Sequence, residues 1–194
     1  VGGDSDFAAQ ALYRAGVLLG EADDAGDADA VEQAIAMFEQ LQAGFAASTN
    51  DQVRLMVADG GVRASDLYVR TGQIDAAVAK AIDARDRSAA TGDMVQMVQA
   101  QYQVANLRSQ QGRSLFDSTE GALNTGYKQA SRESVQDYLK VAEFAEPIAQ
   151  APQNARVFVG PALYQAGVIS YAVHGPVDLP IAAEVLPRFV ALAD

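Results

Sequence analysis

The sequence predicts an all-α fold built from about four antiparallel helical hairpins. Residues that favour helices dominate the 194-residue chain, since 38 residues are alanine and Leu, Gln, Arg and Glu fill much of the rest. All six prolines follow residue 146, so the preceding part of the chain has no proline to break a helix. Apolar residues recur at spacings of three and four, and no segment alternates as a strand would.

Five helices are predicted in the first 112 residues, separated by short polar turns. Glycine or a run of small polar residues marks most of these turns, because such residues favour helix ends. Gly72 is expected to take the left-handed conformation that ends the third helix. Asp29 and Asp93 are expected to cap the second and fifth helices. The predicted ranges are about 6–21, 29–45, 51–70, 74–91 and 93–111.

The remaining chain predicts one interruption and three further helices. Residues 113–131 are rich in turn-forming residues, so we expect an insertion there with room for one short helix. Pro147 and Pro187 are expected to kink the helices in which they lie. Pro180 is a favourable first-turn residue for the last helix. The helices are expected over about 133–150, from 155 or 161 to 173, and from 180 onward.

Composition argues against several classes of function. The chain has no cysteine and one histidine, which removes disulfides, thiol catalysis and the common imidazole or thiolate metal clusters. Its 25 acidic and 14 basic residues give a net charge of -11, which repels phosphate groups. We therefore expect no cofactor, no metal, no nucleic acid partner and no membrane insertion.

The start of the chain bears on its origin. Val1 stands where an initiator methionine would be expected, and no basic and apolar signal sequence follows it. We therefore expect a processed form or an excised fragment. The compartment stays open, because a cysteine-free sequence suits an exported bacterial protein as well as a cytosolic one.

One internal repeat is visible in the sequence. The segment 11–17 recurs at 162–168 with six identities in seven residues, on the first and seventh predicted helices. A small residue stands at the centre of every odd-numbered helix and lets a neighbouring helix approach closely. These small residues are Gly16, Ser65, Ala105 and Gly167.

The pattern resembles the tetratricopeptide repeat family. Residues 58–91 give one unit of the family's length, with a small pair, an aromatic, a turn glycine and three alanines in order. The resemblance extends to 6–48, to 94–151 with its insertion, and to 155–193, so residues 1–194 would form a single domain of four units. It departs where Arg108 and Ser170 replace the expected aromatic. The matching residues are Ala64, Ser65, Tyr68, Gly72, Ala77, Ala81 and Ala84.

The resemblance implies a right-handed superhelix whose first helices line a concave groove. Such a groove would bind a peptide or a helix of a partner protein, so the chain would be a non-enzymatic interaction scaffold. An alternative for the tyrosines is that they cover the core between repeats and keep their hydroxyl groups at the surface. By analogy, the groove residues would be Tyr13, Arg14, Val62, Arg63, Asp66, Tyr102, Asn106 and Tyr164.

A second hypothesis is that the chain is a structural subunit that stacks through its terminal hairpins into an oligomer or filament. Repeat arrays need polar end caps to remain monomeric, and the last predicted helix has a thin polar side. Val185, Phe189 and Val190 would form the assembly surface. In the insertion, Phe116 and Tyr127 would either bind a partner or plug the side of a hairpin.

No enzyme is predicted. The sequence contains no phosphate-binding loop, no dinucleotide-binding glycine motif and no HExxH zinc motif. Ser170 lacks the strand–turn–helix context of a nucleophilic serine, and a lone His174 at a helix end is typical of a structural role. The acidic turn 21–29 begins the alternation of a calcium loop, but Val31 breaks it, so we expect a solvated turn.

Overall fold

The computed structural model describes residues 3–22, 28–116, 125–145, 157–174 and 179–191. Over these residues the chain forms eight α-helices and no strand. None of these helices is both long enough and apolar enough to cross a bilayer. The helices are α1 (Gly3–Ala22), α2 (Ala28–Phe45), α3 (Asp51–Arg70), α4 (Ile74–Thr91), α5 (Met94–Ser114), α6 (Thr125–Ala145), α7 (Val159–His174) and α8 (Leu179–Val190).

The helices pack in two compact units, Val1–Met97 and Val98–Asp194. In the first unit α1 packs on α2, α2 on α3 and α3 on α4, and α1 also contacts α3. In the second unit α6 packs on α7 and α7 on α8. The Ser134 hydroxyl of α6 donates to the Ala105 carbonyl of α5 at 3.0 Å, which joins these two helices. Because successive helices pack on each other within each unit, the predicted all-α helical-repeat fold is confirmed.

The core of the first unit is centred on Phe38, whose ring is 1% exposed. A Cβ atom placed on Gly16 of α1 would lie 2.8 Å from this ring, and one on Gly60 of α3 would lie 3.2 Å from it. The ring therefore lies against two helices that both lack a side chain at the point of contact. The other buried residues of this core are Ala9, Val31, Ala34, Ile35, Leu41, Val53, Val57, Ala64 and Leu67.

Single residues determine where several of the helices begin or end. Gly72 and Gly92 have φ angles of 74° and 75°, the left-handed conformation that glycine adopts at low cost, which confirms the prediction for Gly72. The Asp93 carboxylate accepts from the Gln96 N–H at 3.0 Å and so caps α5 as predicted. The predicted cap at Asp29 is wrong, because α2 begins at Ala28 and Asp29 lies in its first turn.

The predicted insertion 113–131 is wrong in its extent. Helix α5 continues through Gly112 to Ser114, and α6 already begins at Thr125. Gly112 is buried, and a Cβ atom there would lie 3.3 Å from the Cβ of Ala130. Close packing of α5 on α6 therefore keeps this glycine helical against its preference for turns. Residues 117–124 and Pro147 lie outside the described residues.

Replacing glycine with alanine is expected to change stability in opposite directions at Gly16, which contacts Phe38, and at Gly44. Gly16→Ala is expected to lower the free energy of unfolding by about 1 kcal/mol, because overpacking outweighs the gain in helix propensity. Gly44→Ala is expected to raise it by about 0.5 kcal/mol, since a Cβ atom at Gly44 meets nothing within 4 Å. Urea unfolding followed by circular dichroism measures both, and a gain of stability in both variants would contradict the packing of α1 on Phe38.

Candidate functional site

Side chains from three helices meet on the surface of the first unit. Tyr13 lies on α1, Asp59 and Arg63 lie on α3, and Gln96 lies near the start of α5. Oδ2 of Asp59 accepts from the Tyr13 hydroxyl at 2.5 Å and from Nε of Arg63 at 2.6 Å. Oδ1 of Asp59 accepts from Nε2 of Gln96 at 3.1 Å. We call these four residues the Asp59 cluster.

The cluster also contains a cation–π contact. The Arg63 guanidinium carbon lies 5.8 Å from the centroid of the Tyr13 ring, within the range of such contacts. The Tyr13 ring in turn meets Phe38 edge-on, with centroids 6.3 Å apart. The surface cluster is therefore anchored directly on the core of the first unit.

Hydrogen bonding fixes the protonation of the cluster. Burial alone would raise the pKa of Asp59, but hydrogen bonds from Tyr13, Arg63 and Gln96 outweigh it and lower that pKa below its ordinary value. Burial, and then the hydrogen bond to Asp59, raises the pKa of Tyr13. At neutral pH the carboxylate is therefore ionised and the phenol protonated, so the donors and acceptors of the cluster hold one arrangement.

An open surface depression of about 330 Å³ lies beside the cluster. Its lining combines polar groups with two apolar side chains, one of which, Leu55, is 42% exposed. Such a lining can receive an apolar side chain of a partner and hydrogen-bond its polar groups. The lining residues are Tyr13, Gln52, Leu55, Met56, Asp59, Asp93 and Gln96.

The groove residues predicted in the first unit do not all lie at one site. Tyr13 and Arg63 belong to the Asp59 cluster, and Arg14 is exposed on α1. Val62 is only 5% exposed, so its assignment to the groove is wrong. It lies three residues before Ser65, on the same face of α3, and this face is buried in the unit.

Asp66 lies close to the cluster but lines another cavity. It shares a small pocket of about 120 Å³ with Arg63 and Arg70. Burial raises the pKa of Asp66, against the lowering effect of Arg70 and Arg63. Asp66 and Arg63 are therefore electrostatically coupled, as neighbours one turn apart on α3 can be.

Tyr102 and Asn106 take part in packing α5 on α6. The Tyr102 ring lies 5.9 Å from that of Tyr138 and 5.4 Å from that of Phe158. Oδ1 of Asn106 accepts from the Tyr138 hydroxyl at 2.6 Å. Tyr164, by contrast, is 46% exposed, and its ring lies 5.5 Å from that of Phe189.

The residues predicted for the assembly surface differ in their exposure, and the two aromatic residues predicted for the insertion contact each other. Val185 is 1% exposed, so its place on an assembly surface is wrong, because this side of α8 is buried in the second unit. Val190 is 60% exposed, and Phe189 is half-buried against Tyr164. Phe116 and Tyr127 contact each other edge-on with ring centroids 5.2 Å apart, so they form one aromatic pair.

The remaining sequence candidates give no site among the described residues. Within the described side chains, no group of three or more His, Asp or Glu residues is placed to hold a metal ion. Residues 23–27 of the acidic turn and the side chain of His174 lie outside the described part.

Sequence reasoning missed Asp59, which is the centre of the cluster. Asp59 and Arg63 are four residues apart on a predicted helix, a spacing that favours an ion pair and would have indicated it. Gln96 left no such indication, because its contact with Asp59 depends on how the start of α5 approaches α3.

The charge of Asp59 predicts a pH-dependent contribution to stability. Asp59→Asn is expected to lower the free energy of unfolding by about 1 kcal/mol at pH 7, through loss of charge-assisted hydrogen bonds. The folded-state pKa of Asp59 is lowered, so this contribution is complete above its ordinary pKa of 3.8 and is lost as the pH falls through the folded value.

Urea unfolding of the wild type and the Asp59→Asn variant between pH 7 and pH 2 tests this expectation. The difference in free energy of unfolding between the wild type and the variant should be constant near neutral pH and should shrink below pH 3.8. Asp86→Asn is the control, since Asp86 is 63% exposed in its pair with Arg85 and should contribute roughly 0.5 kcal/mol or less. A difference that grows in acid would contradict the lowered pKa of Asp59.

Comparison with known proteins identifies no family for this chain. No family model matches the sequence, and no curated protein matches it. The chain is similar to the crystal structure of a de novo designed helical repeat protein, DHR64, with a TM-score of 0.48 and 15% identity over 98% of this chain and 95% of that one. It is also similar to the DHF79 filament, with a TM-score of 0.43 and 15% identity over 95% of this chain and 99% of that one. Neither similarity is high enough to indicate a function.

Proposed function

We propose that the chain is a non-enzymatic interaction scaffold of the tetratricopeptide type, which binds a peptide or a helix of a partner protein beside the Asp59 cluster. One observation carries this proposal: α1, α3 and the start of α5 each supply a side chain to the cluster. These three are the first helices of the predicted units, and the resemblance implies that first helices line the binding groove.

The chemistry of the depression supports a partner with an apolar anchor. Leu55 is partly exposed, and covering it with an apolar side chain would gain about 25 cal/mol for each Å² buried. The amides of Gln52 and Gln96 can pair with a partner's backbone groups. Because the Asp59 cluster is already hydrogen-bonded internally, little side-chain freedom would be lost on binding.

The charge of the depression defines the partner further. Asp59 and Asp93 both line it, and the whole chain carries a net charge of -11. An acidic segment would be repelled and a basic segment attracted, whereas a neutral segment would meet no such repulsion. The proposed ligand is therefore a neutral or basic segment with one apolar anchor.

Peptides selected by display against the purified chain test the proposal, with affinities measured by calorimetry. Leu55→Ala is expected to weaken binding about 5- to 30-fold, as truncation of a central anchor contact does. Leu18→Ala is the matched control, because Leu18 is 67% exposed on α1 and does not line the depression. Selected peptides that bind Leu55→Ala as tightly as wild type would contradict this site.

Self-assembly through the terminal hairpin is a second candidate function, and one observation favours it. Tyr171 of α7 is 67% exposed and Val190 of α8 is 60% exposed. Tyr171 also lines an open apolar depression with residues of α8, and exposed apolar surfaces of this kind mark interaction sites. A second copy of the chain would cover this surface. The α8 residues concerned are Ala182, Ala183, Leu186 and Pro187.

Sedimentation of the chain over a concentration series separates the two candidates. A mass that rises above 20.4 kDa with concentration, and that Tyr171→Glu returns to 20.4 kDa, would support self-assembly. Leu55→Glu is the control, since it adds the same charge to an exposed apolar position outside the terminal hairpin. A constant mass of 20.4 kDa up to the highest concentration would exclude self-assembly as the function.

A further inference from the structure

A cavity of about 440 Å³ lies in the second unit, lined by residues of α5, α6, α7 and α8. This volume falls within the range of about 300–1,000 Å³ that is typical of small-molecule sites. The cavity is separate from the Asp59 cluster, which lies wholly in the first unit.

One wall of the cavity contains a buried hydroxyl group that has no partner among the described residues. Ser170 of α7 is 0% exposed, and its Oγ makes no hydrogen bond to any described residue. A serine within a helix commonly donates to the carbonyl one turn earlier, but this one does not. Leaving a buried hydroxyl unpaired costs about 1–3 kcal/mol, so a polar ligand in the cavity would gain by pairing with it.

A second wall carries excess positive charge. Asp137 is 1% exposed, and its carboxylate lies 2.8 Å from Nη1 of Arg108 and 3.2 Å from Nζ of Lys140. Two cations thus face one buried carboxylate, while Arg132 and Glu133, which also line the cavity, carry opposite charges. The described residues of the lining therefore carry a net charge of +1 in a chain of net charge -11. Arginine has five donors and lysine three, more than their contacts with Asp137 use.

The rest of the lining selects an organic ligand over an inorganic ion. Val135 and Ile181 give the cavity apolar surface, which a hydrated ion would leave uncovered. We propose that this cavity binds a small organic monocarboxylate with a short apolar body, its carboxylate facing Arg108 and Lys140 and within reach of the Ser170 hydroxyl. This proposal goes beyond peptide binding and does not depend on it.

Titration of the ¹⁵N-labelled full chain with 4-methylpentanoate tests the proposal, read by amide chemical shifts and by calorimetry. Saturable shifts at Val135, Ser170 and Ile181 are expected, with a Kd of about 1 mM or lower. The neutral analogue 4-methylpentanamide has nearly the same shape and should bind at least about 10-fold more weakly, because it lacks the charge.

Two variants with a matched control complete the test. Lys140→Gln is expected to weaken binding of 4-methylpentanoate about 5-fold or more, whereas Lys128→Gln removes the same charge from α6 outside the cavity and should change nothing. Ser170→Ala removes a hydroxyl that has no partner among the described residues, so it should fold at least as stably as wild type while binding several-fold more weakly.

Three results would overturn the proposal. The first is an absence of saturable shifts at the cavity residues, and the second is equal binding of the carboxylate and the amide. The third is an equal loss of affinity in Lys140→Gln and Lys128→Gln, which would indicate general charge attraction. Because Ser170→Ala is expected to fold normally, its affinity decides the matter if Lys140→Gln perturbs the structure.

Discussion

Replacing Phe38 with alanine is expected to lower the free energy of unfolding by about 3–5 kcal/mol. The ring is 1% exposed and lies against Gly16 and Gly60, which have no side chain that could move into the space. Truncation would therefore leave a cavity among α1, α2 and α3 in addition to the lost burial of the ring. Urea unfolding followed by circular dichroism measures the effect, which is a large share of a typical stability of about 5–15 kcal/mol.

Phe7→Ala is the matched control for this experiment. Phe7 is 72% exposed on α1, so the same substitution should change stability by roughly 0.5 kcal/mol or less. Equal losses in the two variants, or a loss below about 1 kcal/mol for Phe38→Ala, would mean that Phe38 is not the centre of the core in solution.

Arg108→Met is expected to lower the free energy of unfolding by about 2–3 kcal/mol. Breaking a buried ion pair typically costs about 3–5 kcal/mol, because the remaining charge stays in the interior without its partner. Asp137 would keep Lys140 at 3.2 Å and Nε2 of Gln101 at 3.2 Å, so the loss should fall below that range. Methionine keeps most of the apolar length of arginine, which confines the change to the charge and its hydrogen bonds.

The pair of Arg87 with Asp83 gives a closely matched control. Its N–O distance is 2.7 Å against 2.8 Å for Arg108 with Asp137, and the two arginines are 28% and 27% exposed. The carboxylates differ, since the side chain of Asp83 is 41% exposed and the side chain of Asp137 is 2% exposed. Arg87→Met should therefore cost less than about 1 kcal/mol, and equal losses in chemical denaturation would show that burial of the carboxylate does not decide the effect.

Local patterns predicted the first five helices well. The predicted range 51–70 coincides with α3, and 74–91 coincides with α4. Both helices end at glycines in the left-handed conformation, a property of the residue that needs no knowledge of its neighbours in space. Helical periodicity and helix-ending residues were sufficient there, because no long-range contact opposed them.

Long-range packing explains which of the predictions from the sequence were wrong. The residues around Gly112 favour turns, yet this glycine lies inside α5 because it packs against Ala130 and the backbone of Ser131 in α6. Val62 and Val185 were assigned to surfaces by analogy and by helix composition, and both are buried. A sequence pattern identifies an apolar face, but the fold determines which face is covered.

The candidate sites were predicted only in part for the same reason. Tyr13 and Arg63 were selected from the repeat pattern, and they do meet in the Asp59 cluster. The cavity beside Ser170 could not be predicted, because residues of four helices line it and no short motif joins them. Gln96 and Lys140 likewise gain their roles from helices that approach each other only in the folded chain.

The ring of Phe38 also determines the alignment of three helices along their axes. Alanine-rich helices offer nearly the same small surface at every turn, so apolar burial alone would tolerate a slide of one turn, about 5.4 Å. Such a slide of α2 would bring the ring opposite Leu12 or Gly20 of α1 and opposite Met56 or Ala64 of α3. In neither direction does the ring meet a glycine on both helices. The aromatic ring and its two glycines therefore select one alignment from several of similar hydrophobicity, which gives this alanine-rich unit a unique native state.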